Sequence, residues 1–292
     1  MEQMLSSALF VLLYGVSYGL VLFIIAIGLV ITMGLMQIVN LAHGAFAAIG
    51  GYVAVSLMNG AGVPFLAALC AAVVVVVLFS FVLERLIYVR LYGASHLDQI
   101  LMTLGVNFIV IGAITILFGP NVYPVRLPGF LQGSVDLGLR HFEVYRIFVI
   151  CLGLAVVVCL WALFERTSFG AKLRAAVDNR SIARVIGIDV DRLFLLAFGI
   201  GSGLAALGGA VGAAMLPLEP YYPMKYLMLV LVVVALSGYG NIRASLGVAI
   251  IVGVIDTAGR LLVPAFGGFA IYLLLILLTV WRPDGLFAGR VS

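Results

Sequence analysis

From Gln3 to Leu83 the chain runs for 81 residues without an Asp, Glu, Lys or Arg. One helical crossing needs about 20 apolar residues to traverse roughly 30 Å of hydrocarbon, so this stretch has room for three. A water-facing fold does not accommodate such a run. Only 10% of the 292 residues are charged, against about a quarter in soluble domains, and mean hydropathy is +1.28. The chain is expected to be a polytopic membrane protein that works within or across a bilayer.

Candidate spans are 8–31, 40–58, 63–83, 100–118, 145–164, 193–216, 226–239, 244–258 and 266–281. Backbone groups in hydrocarbon must be satisfied within their own segment. These runs are continuous rather than the alternating ten-residue segments of a barrel. The expected fold is therefore all-α, with eight or nine transmembrane helices in one domain over 1–292. The last three spans are short or Gly-interrupted, which leaves a re-entrant segment within 226–258 as an alternative. The start carries Glu2 and no cation, and the run Ala8–Ile31 is too long for a signal-peptide core. It reads as an uncleaved first helix.

Orientation follows from the cations. Segment 165–192 carries Arg166, Lys172, Arg174, Arg180, Arg184 and Arg192, and with it inside, eleven of the sixteen Lys and Arg residues fall on that side. The positive-inside rule then puts the N-terminus outside and the C-terminus in the cytoplasm. It also accounts for the net charge of +4 without nucleic acid. The outside turns are 119–144, read as a structured turn region, and Pro217–Pro223, stiffened by three prolines.

Several chemistries are missing. Neither Lys172 nor Lys225 follows a glycine, so there is no phosphate-binding loop, and no H-E-x-x-H or G-x-S-x-G occurs. Cys70, Cys151 and Cys159 lie in apolar runs at no metal-ligand spacing. Neither a catalytic pair, a metal site nor a cofactor of its own is expected, and ATP-driven work would fall to another subunit. Sparse intramembrane charge argues against a proton relay.

Two stretches stand out. In Gly34–Gly44, Asn40 and His43 are the strongly polar pair, three apart and so on one helical face. A Gly-flanked break there would expose helix ends suited to a polar or anionic solute. Alternatively Asn40 caps a helix beginning at Leu41 while His43 bonds a neighbouring helix. A similar rhythm at Gly238–Gly247, around Asn241, suggests an internal repeat. Thr103 and Asn107, one turn apart, are further pathway candidates. In the cytoplasmic stretch, Leu173, Ala176 and Val177, then Ala183 and Ile186, form short amphipathic pieces closed by Gly187. Such a piece docks a partner or lies on the membrane surface, or simply connects two spans. Asp256 and Arg260, four apart near the outer boundary, are expected to pair.

The stretch Gln37–Phe46 with Ile49–Tyr52 resembles the N-terminal signature of LivH-type permeases, membrane subunits of bacterial ABC importers for branched-chain amino acids. Arg174–Asn179 with Ala183–Ile188 is similar to that family's cytoplasmic coupling segment. Leu236–Asn241 and Trp281–Phe287 look like its later landmarks. The chain's start is more like the H-type than its M-type partner. The resemblance implies a permease subunit in a four-part assembly in the bacterial inner membrane. Its partners would be a second related permease, giving a heterodimer, two ATP-binding cassette subunits that bind the ATP, and a periplasmic solute-binding protein. On this reading Gly170, Arg174, Ala175, Ala176, Asp178, Ala183 and Gly187 belong to the segment that docks the ATPase. Asn40, His43, Thr103, Asn107 and Asn241 are the solute-pathway candidates. Related permeases serve leucine, isoleucine and valine, but also urea, short amides and other small carboxylates. A self-contained channel or secondary carrier is the competing reading, and it would have no need of a docking segment.

Overall fold

The computed structural model describes residues 2–36, 38–91, 93–136, 141–238, 241–262, 264 and 269–281. In chain order the helices are α1 (Glu2–Leu35), α2 (His43–Ala61), α3 (Phe65–Leu83), a π turn (Glu84–Tyr88) leading into α4 (Val89–Leu91), α5 (His96–Phe118) and α6 (Val144–Arg166). They continue with α7 (Ser168–Asp178), α8 (Arg180–Val185), α9 (Val190–Gly212), α10 (Tyr222–Ser237), α11 (Ile242–Leu262) and α12 (Ala270–Trp281). The protein is all-α apart from a small antiparallel hairpin, β1 (Ser134–Asp136) and β2 (His141–Glu143), in register at Val135 and Phe142.

Among the described residues, seven helices are long and apolar enough to cross a bilayer: α1, α2, α3 with its continuation to Leu91, α5, α6, α9 and α11. The expected eight or nine crossings thus become seven full-length helices and two shorter apolar ones. The shorter pair are α10, of 16 residues, and α12, of 12. At 1.5 Å per residue a 16-residue helix covers only about 24 Å, which explains why the sequence signal weakens after residue 226.

The first helix is the centre of the bundle. It packs against α2, α6, α9, α10 and α11, and every residue from Val21 to Ile27 is at most 1% exposed. The apolar attraction that buries side chains in water is weak between helices in lipid, so small residues that let backbones approach become the packing device. Gly15 and Gly19 meet Gly253 of the antiparallel α11. On α9, a Cβ at Gly209 would collide with the carbonyl of Ala47 on α2. The outer helices turn apolar side chains such as Leu78, Ile109 and Val158 outward, as a lipid-facing surface does.

At one end of the bundle the two proline-bearing turns meet. The Tyr123 N–H donates to the Leu218 carbonyl at 2.8 Å, and Asn59 Nδ2 donates to the Pro124 carbonyl at 2.8 Å. At the other end of α6 lie α7 and α8, packed on each other and on the start of α9.

Candidate translocation and coupling site

Helix α1 stops at Leu35 and α2 starts at His43, with no regular helix over Ile38–Asn40. A chain that leaves the helix inside a membrane bundle loses its i−4 partners, and the orphaned backbone groups need replacements. They come from one face of α5. The Val39 N–H donates to Gln99 Oε1 at 3.0 Å, the Leu41 N–H donates to Thr103 Oγ1 at 3.2 Å, and the Leu41 carbonyl accepts from Asn107 Nδ2 at 2.7 Å. All three side chains are at most 3% exposed.

Spacing explains the match. Outside a helix, alternate residues of a chain stand at most about 6.6–7 Å apart. A helix repeats a face every four residues, about 6.0 Å along its axis. Residues 39 and 41 therefore fall opposite residues 99 and 103. Gln99 is itself held by its Nε2, which donates to the Leu91 carbonyl at 3.1 Å, and Thr103 donates to the Gln99 carbonyl at 2.7 Å.

Asn40 does not cap a helix. It is fully buried, and its Oδ1 accepts from the Tyr88 hydroxyl at 2.6 Å. Tyr88 closes the π turn, where the wide i→i+5 geometry inserts an extra residue, and its ring packs on Phe198 at 4.6 Å. His43 Nε2 lies 2.6 Å from the Ile25 carbonyl. A carbonyl only accepts, so Nε2 carries the proton. The ring occupies room left by Gly28, where a Cβ would stand 2.6 Å from His43 Cε1. Among the described residues, three polar atoms here have no hydrogen-bond partner: Asn40 Nδ2, His43 Nδ1 and Asn107 Oδ1.

The structure brings together Asn40, Thr103 and Asn107 around this segment, with His43 at its end, and it sets Asn241 apart. Asn241 is exposed and caps α11, its Oδ1 accepting from the Ala244 N–H at 3.0 Å. Tyr239 and Gly240 of the same motif lie outside the described residues, as does the terminal landmark beyond Trp281. Sequence reasoning missed Gln99 and Tyr88, which flank apparent loops. A polar residue every fourth position through 99, 103 and 107 was the available signal.

The coupling candidates divide into anchors and surface. Leu173, Ala176 and Ala183 are at most 1% exposed. A Cβ at Gly170 would collide with the Phe164 carbonyl, which also accepts from Arg174 Nη1 at 2.7 Å. Ala175 is half-buried and Asp178 exposed. Asn179 caps α8 through the Ile182 N–H at 3.0 Å. Gly187 closes it with φ +85°, a left-handed conformation that glycine adopts without steric cost.

Ile186, expected on the inward face with Ala183, points the other way. Ile182, Val185 and Ile186 are 59%, 87% and 66% exposed, an apolar triplet outside the spanning helices. Behind it, Arg180 lies over the Phe194 ring at 4.6 Å and donates from Nη2 to the Met36 carbonyl at 3.2 Å. The α7–α8 hairpin is therefore bonded to the chain just where α1 breaks.

Residues 11–279 match the family model described as branched-chain amino acid transport system / permease component. The chain is 26% identical to the high-affinity branched-chain amino acid transport system permease protein BraD of Pseudomonas aeruginosa, over 96% of this chain and 95% of that one. It is 29% identical to a probable branched-chain amino acid transport permease protein LivH of Methanocaldococcus jannaschii, over 87% and 82%. It is 25% identical to LivM of Escherichia coli, over 90% and 67%. No solved structure matches. With the family model covering nearly the whole helical bundle, the chain belongs to the branched-chain amino acid transport permease family, membrane proteins of transport rather than enzymes.

Proposed function

We propose that the chain is a permease subunit of an ABC importer in a bacterial inner membrane, its N-terminus periplasmic and its C-terminus cytoplasmic. It would translocate branched-chain amino acids or a related small carboxylate or amide. A second, related permease completes the pathway, a periplasmic binding protein delivers solute, and two ATPase subunits bind the ATP. The observation that carries this reading is the triplet Ile182, Val185 and Ile186. Apolar side chains held out into water on a capped helix invite a protein partner, and a self-contained carrier has no use for them.

The same geometry supports a route for the stroke. Movement of α8 is passed by Arg180 to the Met36 carbonyl, and from there to the extended segment strapped to α5. Asn40, His43, Thr103 and Asn107 are enclosed in the resting single chain. The three polar atoms among them that are unpaired among the described residues support a transport state in which they meet water or solute, since leaving one such group buried costs roughly 1–3 kcal/mol.

Replacing Ile182 and Val185 together by Asp tests the docking. Both positions are exposed, so insertion and thermal stability should be unchanged while solute-stimulated ATP hydrolysis by the assembled complex falls about tenfold, the effect of losing one small apolar contact cluster of about 1.4 kcal/mol. Normal coupling in the double variant would refute the assignment. Enlarging Ala176, which is fully buried, should instead lower stability and coupling together.

A further inference from the structure

At the end of the bundle bearing the proline turns, a cleft of about 750 Å³ opens between the first half of α1, the starts of α6, α10 and α12, the turn after α9 and the last turns of α11. Its size falls in the ordinary range for small-molecule sites, about 300–1,000 Å³. Three cations line it, Arg146, Lys225 and Arg260, with Asp256 as the lining acid. Leu216, Leu229 and Ile271 supply apolar wall, and each is at most 7% exposed.

The polar groups are built in rather than scattered. Asp256 has a side chain only 3% exposed, and its Oδ2 accepts from Arg260 Nε at 2.9 Å. Its Oδ1 is buried beside the Tyr18 phenol. That single Nε bond is the one Arg260 makes, and among the described residues neither Nη group is bonded. Arg146 is fixed from two sides, by Glu143 at 2.9 Å and Ser17 at 3.2 Å, with its guanidinium 3.9 Å from the Tyr14 ring centre. Lys225 is paired with Glu219.

We propose that this cleft is a reception site for a small aliphatic carboxylate, held by the Arg260 fork with its tail on Leu216, Leu229 and Ile271. Two parallel N–H groups match a carboxylate in a bidentate pair. Asp256 positions Arg260, and the negative charge of its carboxylate favours a solute that also carries an ammonium group. The same carboxylate disfavours a phosphate, which brings more negative charge. The proposal rests on the permease reading for its purpose but not on ATPase coupling for its test.

Saturation-transfer NMR on the full chain in phosphatidylcholine nanodiscs supplies that test, with leucine, 4-methylpentanoate and 3-methylbutylamine as probes. Leucine and 4-methylpentanoate methyl groups should receive saturation and the amine should not. Replacing Asp256 by Asn together with Arg260 by Gln removes both charges without stranding either. Thr257→Trp fills the half-buried lining without touching charge. Each should weaken leucine binding about tenfold, the first by removing a charge-assisted contact and the second by taking up the space of the aliphatic tail. Equal transfer to the amine, or unchanged leucine transfer in both variants, overturns the proposal. Displacement of leucine by phosphatidylglycerol also overturns it, by assigning the cleft to a lipid headgroup. Failure here with the α8 coupling result intact would sink the cleft alone, whereas carboxylate binding without ATPase coupling would sink the importer reading alone.

Discussion

The α1–α2 and α10–α11 junctions both follow a helix end with an asparagine, and they solve the same backbone problem differently. At the second, Asn241 is exposed and bonds three residues ahead to the Ala244 N–H, so the start of α11 is capped from within its own segment. At the first, Asn40 is buried and bonded to Tyr88, 48 residues away, while the backbone relies on Gln99, Thr103 and Asn107. A locally capped junction stays put when its surroundings move. A junction held by a distant helix moves with that helix, which suits the one that Arg180 ties to the α7–α8 hairpin.

The largest test of this contrast is the pair Gln99→Leu with Thr103→Val. It strands the Val39 and Leu41 N–H groups, and each should cost roughly 1–3 kcal/mol, seen as a sharp loss of thermal stability and yield in membranes. If the doubly changed protein is as stable as the parent, the strap is not what holds the break. Asn40→Leu comes next, leaving the Tyr88 hydroxyl buried and unpaired at about 1–3 kcal/mol. Adding Tyr88→Phe should recover most of that loss, because removing both partners is far cheaper than removing one. Strictly additive losses would detach the two residues. Transport normalised to folded protein then separates the roles, since a pathway function for Asn40 predicts that the deficit persists after stability is recovered. The smallest effect belongs to Asn241→Ala, about 1 kcal/mol for a lost cap, with transport per folded molecule preserved. A large transport defect there would restore Asn241 to the pathway.

The long spans were legible because an uncharged run of twenty residues has few other uses. Their ends were less so. Gln99 was placed in a loop before a span starting at residue 100, yet α5 begins at His96, its cap formed by Ser95 Oγ accepting from the Asp98 N–H at 3.2 Å. Composition misses such a start because the polar residues of that first turn face an irregular backbone 60 residues away. Asn40 and His43 were rightly singled out as unusual, but no local pattern reveals that Tyr88 meets one and the Ile25 carbonyl the other. For α8 the i, i+3, i+4 spacing of Ile182, Val185 and Ile186 was visible. Which face of a six-residue helix looks inward depends on the anchors around it, Gly170 on the Phe164 carbonyl and Arg180 on Phe194. The Asp256–Arg260 pair was expected from its spacing and is present at 2.9 Å. Its place in a cleft was not, because the cleft is assembled from six separate segments.

The central position of α1 has a consequence for how the protein is made. Helix α1 leaves the ribosome before the helices that come to enclose it, and Val254, which meets Gly15, is synthesised 239 residues later. At about 5–20 residues per second that interval lasts roughly 12–48 seconds. Through it α1 must wait in the membrane without its final neighbours. A helix apolar on every side can do so, because lipid chains are as acceptable to Leu22, Phe23 and Ile24 as the protein that will replace them. The all-round hydrophobicity of the first thirty residues is thus a property of the nascent chain as much as of the finished bundle.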